Sequence, residues 1–186
     1  QGGGVNGEGI IFEYVPGATT VTKKIDFDGS NGAGPWTSLL LASNNKFYGT
    51  TQLGGQYDNG VLFEYDYDDN TCIKKFDFYR YGDYGGYPVN DLMQASNGKI
   101  YGMNDDGGDE NFGVLFEYDP TTNEMNLKFT FDGWNHGSTP KGSLFQHTNG
   151  KIYGTTSSGG VLDAGTIFEY EAGDATITKK IDFNAA

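Results

Sequence analysis

The chain has 186 residues, a formal net charge of −13 at pH 7 and a single cysteine, Cys72. A negative field repels phosphate groups, so nucleic acid is excluded as an expected partner. No apolar run approaches the roughly 18 residues of a membrane-spanning helix, and we expect no membrane insertion. One cysteine cannot build a disulfide framework, and we expect Cys72 to be a small buried hydrophobic residue.

Glycine is frequent, at 30 residues, and aromatic residues make up 15% of the chain, while charged residues reach only 20%. This composition favours strands and tight turns over helices. No segment combines a helical hydrophobic period with helix caps. We therefore predict an all-β protein.

Along the chain, one short string occurs four times, as GIIFEY, GVLFEYD, GVLFEYD and GTIFEY. Its phenylalanine lies at Phe12, Phe63, Phe116 and Phe168, with spacings of 51, 53 and 52 residues. A Gly-Gly pair precedes every copy, and KFYG or KIYG precedes the last three copies. A period of about 50 residues predicts a tandem-repeat architecture.

Each complete repeat is predicted to form four short strands, which we label A to D. Strand A is SLLLAS, DLMQAS or SLFQHT, and strand B begins with KFYG or KIYG. Between them, Asn97-Gly98 and Asn149-Gly150 predict two-residue hairpin turns with positive φ at both residues, and Asn44-Asn45 takes the same place. Strand C is the repeated string, and strand D ends in KKIDF, KKFDF or KFTF.

Four antiparallel strands per repeat describe the blade of a β-propeller. Strand C is apolar without alternation, which predicts burial of both its faces between neighbouring blades. The lysine pairs of strand D, such as Lys23-Lys24, are expected to protect the outer edge of each blade. The alternative architecture is a β-solenoid, whose coils are usually shorter and lack hairpin turns.

We predict a single propeller domain over residues 1–186 with about three and a half blades. These are residues 1–28, which hold strands C and D only, and residues 35–79, 88–132 and 140–183. An incomplete blade exposes apolar faces, so further blades are expected as partners. They come from a longer array, from a second copy that brings the total to seven, or from strands A and B beyond residue 186 that close a four-bladed ring. The start at Gln1 and the end at NAA favour the first arrangement.

The segment KIYGMNDDGGDENFGVLFEYDPTTNEMNLKF resembles a kelch-type propeller blade in its Gly-Gly doublet and its YDP turn, although no tryptophan follows the turn. The whole chain is more similar to bacterial tandem repeats of the GloVer type. Those repeats carry Tyr-Gly-Thr-Thr, Gly-Gly and Gly-x-x-Phe, as in KIYGTTSSGGVLDAGTIFEY, and Pro-x-x-x-Leu, as at Pro35, Pro88 and Pro140. The resemblance implies an exported bacterial protein, often attached to the cell surface, and implies little about activity.

The repeated string carries one glutamate per unit, at Glu13, Glu64, Glu117 and Glu169. Glycoside hydrolysis needs two carboxylates about 5–10 Å apart, whereas one glutamate per blade scatters them near the periphery. Cross-strand pairing with the lysines of strand D is the simpler interpretation. His136 and His147 have no serine or cysteine motif beside them. We predict no catalytic residue and no enzyme, with a carbohydrate-active enzyme as the alternative.

The loops from strand D to A and from B to C are expected at one face of the propeller, where loops usually bind ligands. The ligand-binding candidates in and beside these loops are Trp36, Tyr79, Tyr81, Tyr84, Tyr87 and Trp134. Exposed aromatic rings stack on sugars and anchor protein partners, so a glycan or a protein is the expected ligand. The alternative is that these rings fill spaces between the blades.

Oxygen-bearing side chains also gather in these loops. In DGSNG, Asp28, Ser30 and Asn31 are calcium candidates, although they lack the full spacing of a calcium loop. Further carboxylates lie at Asp105, Asp106, Asp109 and Glu110. All are ordinary turn residues, so we expect no cofactor, with calcium as the alternative.

Together these features predict a non-enzymatic binding or adhesion module of an exported bacterial protein, located outside the cell or at its surface. A second hypothesis is a structural spacer or a secretion-system cargo domain without a ligand of its own.

Overall fold

The structure, a computed structural model, describes residues 3–184. Within that range the chain forms fifteen β-strands in four antiparallel sheets and no α-helix. No helix long and apolar enough to cross a membrane occurs among these residues. The predicted all-β class is therefore confirmed.

The four sheets follow one another along the chain. The first consists of β1 (Ile10–Glu13) and β2 (Thr22–Asp26). The second consists of β3 (Leu40–Leu41), β4 (Phe47–Thr51), β5 (Val61–Asp66) and β6 (Thr71–Asp77). The third consists of β7 (Met93–Gln94), β8 (Ile100–Asn104), β9 (Val114–Asp119) and β10 (Glu124–Thr130). The fourth consists of β11 (Ser138–Pro140), β12 (Phe145–Gln146), β13 (Ile152–Ser158), β14 (Thr166–Tyr170) and β15 (Ile177–Asp182).

The second and third sheets are ordered as predicted, from strand A to strand D, and the first holds only the C and D strands. The fourth sheet has an additional strand, β11, which pairs with the end of β13 through Ser138 opposite Ser158. Pro140 tolerates this position because β11 lies at the edge of its sheet.

The A–B hairpin turns differ from the prediction. The N–H of Asn45 donates to the Ala42 carbonyl and the N–H of Ala42 donates to the Lys46 carbonyl, both at 2.9 Å. Only the last residue of each turn has positive φ: Asn45 at 63°, Gly98 at 83° and Gly150 at 85°. These are three-residue loops, in which a type I turn is followed by a left-handed residue, so the prediction of two-residue turns was wrong.

The reason lies in the asparagine side chain before the left-handed residue. In the third sheet, Asn97 Oδ1 accepts the N–H of Lys99 at 3.0 Å, and Asn97 Nδ2 donates to the Tyr101 hydroxyl at 2.9 Å. The asparagine therefore stabilises the turn through its side chain while its backbone keeps a negative φ.

Every C–D strand pair contains a bulge beside the repeated phenylalanine. In the first sheet Ile11 pairs with Ile25 and Phe12 pairs with Lys23, so Lys24 is the extra residue. The other three sheets shift register at the same place. A bulge bends the strand and redirects the side chain of the extra residue.

The core consists of three clusters, each built from two consecutive sheets. At each interface a strand-D phenylalanine contacts the repeated phenylalanine of the next sheet. The ring centroids are 5.2 Å apart for Phe27 and Phe63, 5.5 Å for Phe78 and Phe116, and 5.3 Å for Phe131 and Phe168. Val61, Leu62 and Phe63 are all buried, which confirms the predicted burial of both faces of strand C in the second sheet.

The Tyr-Gly signature of strand B has a packing role. Gly49, Gly102 and Gly154 lie opposite Phe63, Phe116 and Phe168 in the strand pairing. A Cβ on Gly102 would lie 2.3 Å from Phe116 Cζ. The phenylalanine ring therefore covers strand B where glycine leaves room for it.

Candidate functional site

The D–A loops and the B–C loops contact each other at one end of the sheets. In the last three sheets the second glycine of the Gly-Gly pair donates its N–H to a carbonyl of the D–A loop. These bonds run from Gly55 to Gly29 (2.7 Å), from Gly108 to Asp83 (3.1 Å) and from Gly160 to Gly133 (2.8 Å). All six glycines of these pairs have φ between 74° and 90°, a conformation that side-chain-bearing residues rarely adopt.

Three exposed tyrosines form a cluster at this end. The Tyr79 ring centroid lies 4.8 Å from that of Tyr57 and 5.8 Å from that of Tyr81. Tyr81 is the most accessible of the three, with 81% of its surface exposed. Tyr57 is not among the sequence candidates because those come from the D–A loops and their ends. The tyrosine in the B–C loop QLGGQYDNG was the signal that could have identified it.

An open groove of about 570 Å³ lies beside Tyr81. It is lined by Arg80, Tyr81, Gly82 and Asp83 of the D–A loop and by Gly107, Gly108, Asp109 and Asn111 of the next B–C loop. Arg80 Nε lies 3.4 Å from Asp106 Oδ2, and the Arg80 guanidinium lies 5.6 Å from the centre of the Tyr87 ring. This groove thus combines a cation, carboxylates and an exposed aromatic ring.

Asp106 is half-buried beside this groove. Its Oδ1 accepts the N–H of Gly86 at 2.7 Å, which ties the B–C loop to the D–A loop. Burial raises the pKa of Asp106, and the Gly86 hydrogen bond acts in the opposite direction. Asp106 therefore holds Arg80 and the loop backbone in place beneath the groove.

Tyr84 and Tyr87 belong to the same loop but are half-buried. The Tyr84 hydroxyl donates to the Met125 carbonyl at 3.1 Å, and its ring packs edge-on against Phe76 at 5.1 Å. Tyr84 thus lies in the gap between the second and third sheets, as the space-filling alternative expects. Tyr87 faces Arg80 and has an unusual φ of 52°.

Trp36 and Trp134 are 69% and 74% exposed, and each lines a different cavity. Trp134 borders a cavity of about 440 Å³ together with Glu110, Phe112 and Asp163. Trp36 borders a cavity of about 610 Å³ between the first and second sheets. The candidate aromatic residues are therefore distributed over separate cavities at the loop end.

The calcium candidates form a closed hydrogen-bonded turn. Asp28 Oδ1 accepts bonds from the Ser30 hydroxyl at 2.7 Å and from the Asn31 N–H at 3.0 Å, and Asn31 Oδ1 accepts the Asp28 N–H at 2.9 Å. The Ser30 and Asn31 bonds lower the pKa of Asp28. These contacts are those of ordinary turn chemistry, and the calcium site stays a prediction.

Each repeated glutamate pairs with the bulged lysine of strand D, as the cross-strand interpretation predicted. The closest nitrogen–oxygen distances are 2.9 Å for Lys24 and Glu13, 3.2 Å for Lys75 and Glu64, 3.8 Å for Lys128 and Glu117, and 3.5 Å for Lys180 and Glu169. The bulge explains why the second lysine of the KK pair, and not the first, contacts the glutamate.

Strand B supplies further partners that the sequence reasoning missed. The Tyr101 hydroxyl donates to Glu117 Oε2 at 2.5 Å and that of Tyr153 donates to Glu169 Oε2 at 2.7 Å, while Tyr48 donates to Glu64. Bonds from Lys151 and Tyr153 lower the pKa of Glu169 to about 2. Glu117 is only 3% exposed, and its carboxylate bonds to Tyr101 and Lys99.

The two histidines and the cysteine lie apart from one another, each in a different environment. His136 Nδ1 lies 2.9 Å from Asp132 Oδ2, and its ring packs edge-on against Phe129 at 5.1 Å. His147 is exposed, with its ring centroid 6.3 Å from that of Tyr153. Cys72 is half-buried instead of fully buried, and burial raises the pKa of its thiol to about 12.

These sheets and their shared loop end define an all-β tandem-repeat protein. The chain belongs to the Gloeobacter/Verrucomicrobia repeat family, whose model matches residues 1–168, and the resemblance drawn from the repeats is thereby confirmed. No curated protein matches the chain.

Solved bacterial structures share its fold at low identity. The extracellular domain of a hybrid two-component system from B. thetaiotaomicron matches with a TM-score of 0.63 and 14% identity, over 96% of this chain and 20% of that chain. A protein from Dyadobacter fermentans matches with a TM-score of 0.55 and 12% identity, over 87% and 53% of the two chains. TolB from Acinetobacter baumannii matches with a TM-score of 0.51 and 10% identity, over 87% and 34%. The chain thus spans only part of the length of each of these proteins.

Proposed function

We propose that this chain is a non-enzymatic binding module of an exported bacterial surface protein, and that it recognises a glycan or a protein through its loop end. The observation that carries the proposal is the cluster of Tyr57, Tyr79 and Tyr81, three exposed rings beside the Arg80 groove. Aromatic faces stack on sugar rings and anchor protein partners, and an arginine held by Asp106 adds hydrogen-bond donors.

We further propose that the sheets are the blades of a β-propeller, with residues 1–28, 35–79, 88–132 and 140–183 as successive units. Support comes from the antiparallel order of strands A to D and from cores that always join consecutive sheets. Further blades, from the same polypeptide or from a second copy, complete such a ring.

The family and the structural relatives support export. One relative is described as an extracellular domain, and it carries the same fold over 96% of this chain. A structural role for the repeated glutamates supports the non-enzymatic proposal, since each one bonds to lysine or tyrosine within its own sheet.

A glycan array followed by calorimetric titration of the best ligand tests the proposal. Tyr81→Ala should weaken binding at least about tenfold, because it removes the most exposed ring of the cluster. Tyr67→Ala is the matched control, since Tyr67 is 47% exposed and follows β5 at the opposite end of the sheets.

Two results would count against the proposal. Equal weakening by both substitutions would place binding away from the tyrosine cluster. A chain that binds no glycan and no protein would instead support the spacer or cargo hypothesis.

A further inference from the structure

The D–A loop that precedes a complete sheet is fastened to the B strand of that sheet, and two of the three loops use their backbone for this. Before the second sheet, Ala33 and Leu53 exchange two backbone hydrogen bonds, of 2.8 and 2.9 Å. Before the fourth sheet, Ser138 pairs with Ser158 at the corresponding place. Backbone pairing is therefore the arrangement that the repeat itself provides.

The loop before the third sheet is fastened by side chains instead. Its Gly86 lies two residues before the loop's proline, as Ala33 does in its own loop, and donates its N–H to Asp106 Oδ1 at 2.7 Å. Asn104 Nδ2 donates to a carbonyl of the same loop, that of Tyr84, at 2.7 Å. Side chains at and just after the end of β8 thus replace the backbone pairing of the other two loops.

The sequence departs from the repeat on both sides of this junction. The B strands of the second and fourth sheets read YGTTQL and YGTTSS, whereas that of the third sheet reads YGMNDD. The facing loop, YRYGDYGGY, is the longest of the three D–A loops and carries Arg80, the only arginine of the chain. Two segments that leave the repeat together and bond to each other indicate a junction specialised for a purpose of its own.

This specialised junction lowers stability. In the second sheet, Thr51 Oγ1 accepts the Val61 N–H at 3.2 Å and donates to the Leu53 carbonyl at 2.8 Å. Asn104 takes the same place in the third sheet and is fully buried, yet its Oδ1 has no hydrogen-bond partner among the residues that the structure describes. A buried acceptor without a partner is costly. Departures of this kind from the rules of stability are expected at functional sites.

The Arg80 groove lies at this junction, and its lining offers both hydrogen-bond donors and acceptors. Arg80 has five N–H donors, and its contact with Asp106 leaves several of them available. Asp83 and Asp109 are exposed, and their carboxylates make no hydrogen bond or ion pair within residues 3–184. Tyr81 adds a ring that is 81% exposed. The volume of about 570 Å³ is typical of sites for small ligands.

This combination discriminates between classes of ligand. A hydroxyl group can accept from Arg80 and donate to a carboxylate, whereas a carboxylate or a phosphate only accepts and an ammonium only donates. One arginine against the three carboxylates of Asp83, Asp106 and Asp109 leaves the groove negative, which repels anions. An ammonium would lie beside Arg80 and leave the arginine donors without an acceptor. An uncharged polyol suits both kinds of group.

A peptide also carries donors and acceptors, but the groove differs from the usual peptide sites. Peptides are commonly recognised by a sheet edge, an apolar groove or a cluster of arginines. This groove lies between two loops and holds one arginine among carboxylates. The C–H face of a sugar ring, in contrast, stacks on an exposed tyrosine such as Tyr81.

We propose that the Arg80 groove binds an uncharged pyranose sugar. The hydroxyl groups of the sugar lie between Arg80 and the carboxylates of Asp83 and Asp109, and its ring face lies against Tyr81. Asp106 and Asn104 are positioning residues, because they hold the loop that carries this arginine and this tyrosine. The inference rests on the proposed binding function and narrows it to one class of glycan and to one of the three junctions.

An array that carries uncharged, uronate-containing and amine-containing glycans beside a set of peptides tests the class of ligand with the full chain. The uncharged glycans should give the strongest signals. In calorimetric titration of the best of them, Arg80→Ala should weaken binding at least about tenfold. Lys23→Ala is the matched control and should leave the affinity unchanged, since Lys23 is also a half-exposed cation paired with an aspartate, in the first sheet.

The positioning role of Asp106 is tested with the same glycan. Asp106→Leu introduces the residue found at this place in the second sheet and removes the bonds to Gly86 and Arg80, so binding should weaken at least about tenfold. Asp106→Asn keeps an acceptor for the Gly86 N–H and should restore most of the affinity. Ser158→Leu, the equivalent change in the fourth sheet, should leave binding unchanged. Circular dichroism checks that each variant is folded, and if Asp106→Leu is not, the Arg80→Ala titration still decides.

The outcomes separate this inference from the proposed function on which it rests. Stronger binding of charged glycans, binding of peptides alone, or an affinity for the uncharged glycan that Arg80→Ala leaves unchanged would overturn the inference and leave a binding module in place. Equal affinities of folded Asp106→Leu and Asp106→Asn would overturn the positioning role. A chain that binds no member of the array would count against both the inference and the proposed function.

Discussion

The first and third sheets contain the same Phe-Glu-Tyr string in different surroundings. In the third sheet Phe116, Glu117 and Tyr118 are at most 3% exposed, because β8 lies on one side of β9 and β10 on the other. In the first sheet Phe12 and Tyr14 are 55% and 54% exposed, and only β2 accompanies β1. The string is therefore buried by its neighbouring strands and sheets, and the residues themselves do not determine their environment.

The largest expected difference between the two sheets concerns the phenylalanines. Phe116→Ala should lower the free energy of unfolding by about 3–5 kcal/mol, because it empties a fully buried site between two sheets. Phe12→Ala should lower it by less than about 1 kcal/mol, since much of that ring is already in water. Chemical denaturation of both variants measures the difference. Similar losses of unfolding free energy in the two variants would contradict the idea that the neighbouring strands set the burial of each copy.

Replacing the repeated glutamate should also lower the free energy of unfolding more in the third sheet than in the first, by smaller amounts than replacing the phenylalanine. Glu117→Ala leaves the Tyr101 hydroxyl and Lys99 without their buried acceptor and should cost about 3 kcal/mol. Glu13→Ala should lower the free energy of unfolding by much less, since its pair with Lys24 is partly exposed and screened by water. Urea titration of the two variants provides the measurement. Glu117→Gln is the control, because it keeps an acceptor for Tyr101, and a loss as large as that of Glu117→Ala would argue against this account.

Lowering the pH should remove a smaller stabilising contribution to the fold, that of the Glu169 carboxylate in the fourth sheet. The pKa of Glu169 is about 2 when folded, against an ordinary value of 4.5, because Lys151 and Tyr153 bond to its charged form. A lowered folded pKa means that the stabilisation is complete above about pH 4.5 and is lost as the pH falls towards 2. The stability difference between the natural chain and Glu169→Gln should therefore shrink over that window.

Thermal unfolding of both proteins from pH 6 to the lowest pH at which they stay folded measures this effect. Glu13→Gln should show the same direction, since bonds from Lys24 and Tyr67 lower the pKa of Glu13. A difference between Glu169→Gln and the natural chain that is independent of pH would show that the ion pair does not stabilise the fold.

The sequence predicted the repeat, the strand order and the pairing of glutamate with lysine, because all three follow from residues that recur at one period. It could not predict the bulge that directs Lys24 towards Glu13, since a bulge depends on how two strands register and twist together. The predicted type of A–B turn was wrong because an asparagine can stabilise a hairpin in two ways. It can adopt a positive φ, or, as Asn97 does, it can bond to the turn through its side chain.

The aromatic candidates show a similar division. Loop position correctly indicated exposed rings at Tyr79, Tyr81, Trp36 and Trp134. It could not separate them from Tyr84, whose ring packs on Phe76 between two sheets, because that contact joins residues of different strands and loops. Tyr57 contacts Tyr79 only through the folding of two loops that are distant in sequence.

Amide hydrogen exchange across the four copies of the string tests most directly whether neighbouring strands determine the state of each copy. The account predicts that the slowest amides of β5, β9 and β14 exchange more than about 100-fold more slowly than those of β1, which has one strand partner where the others have two. Equal protection of all four copies in the isolated chain would contradict it.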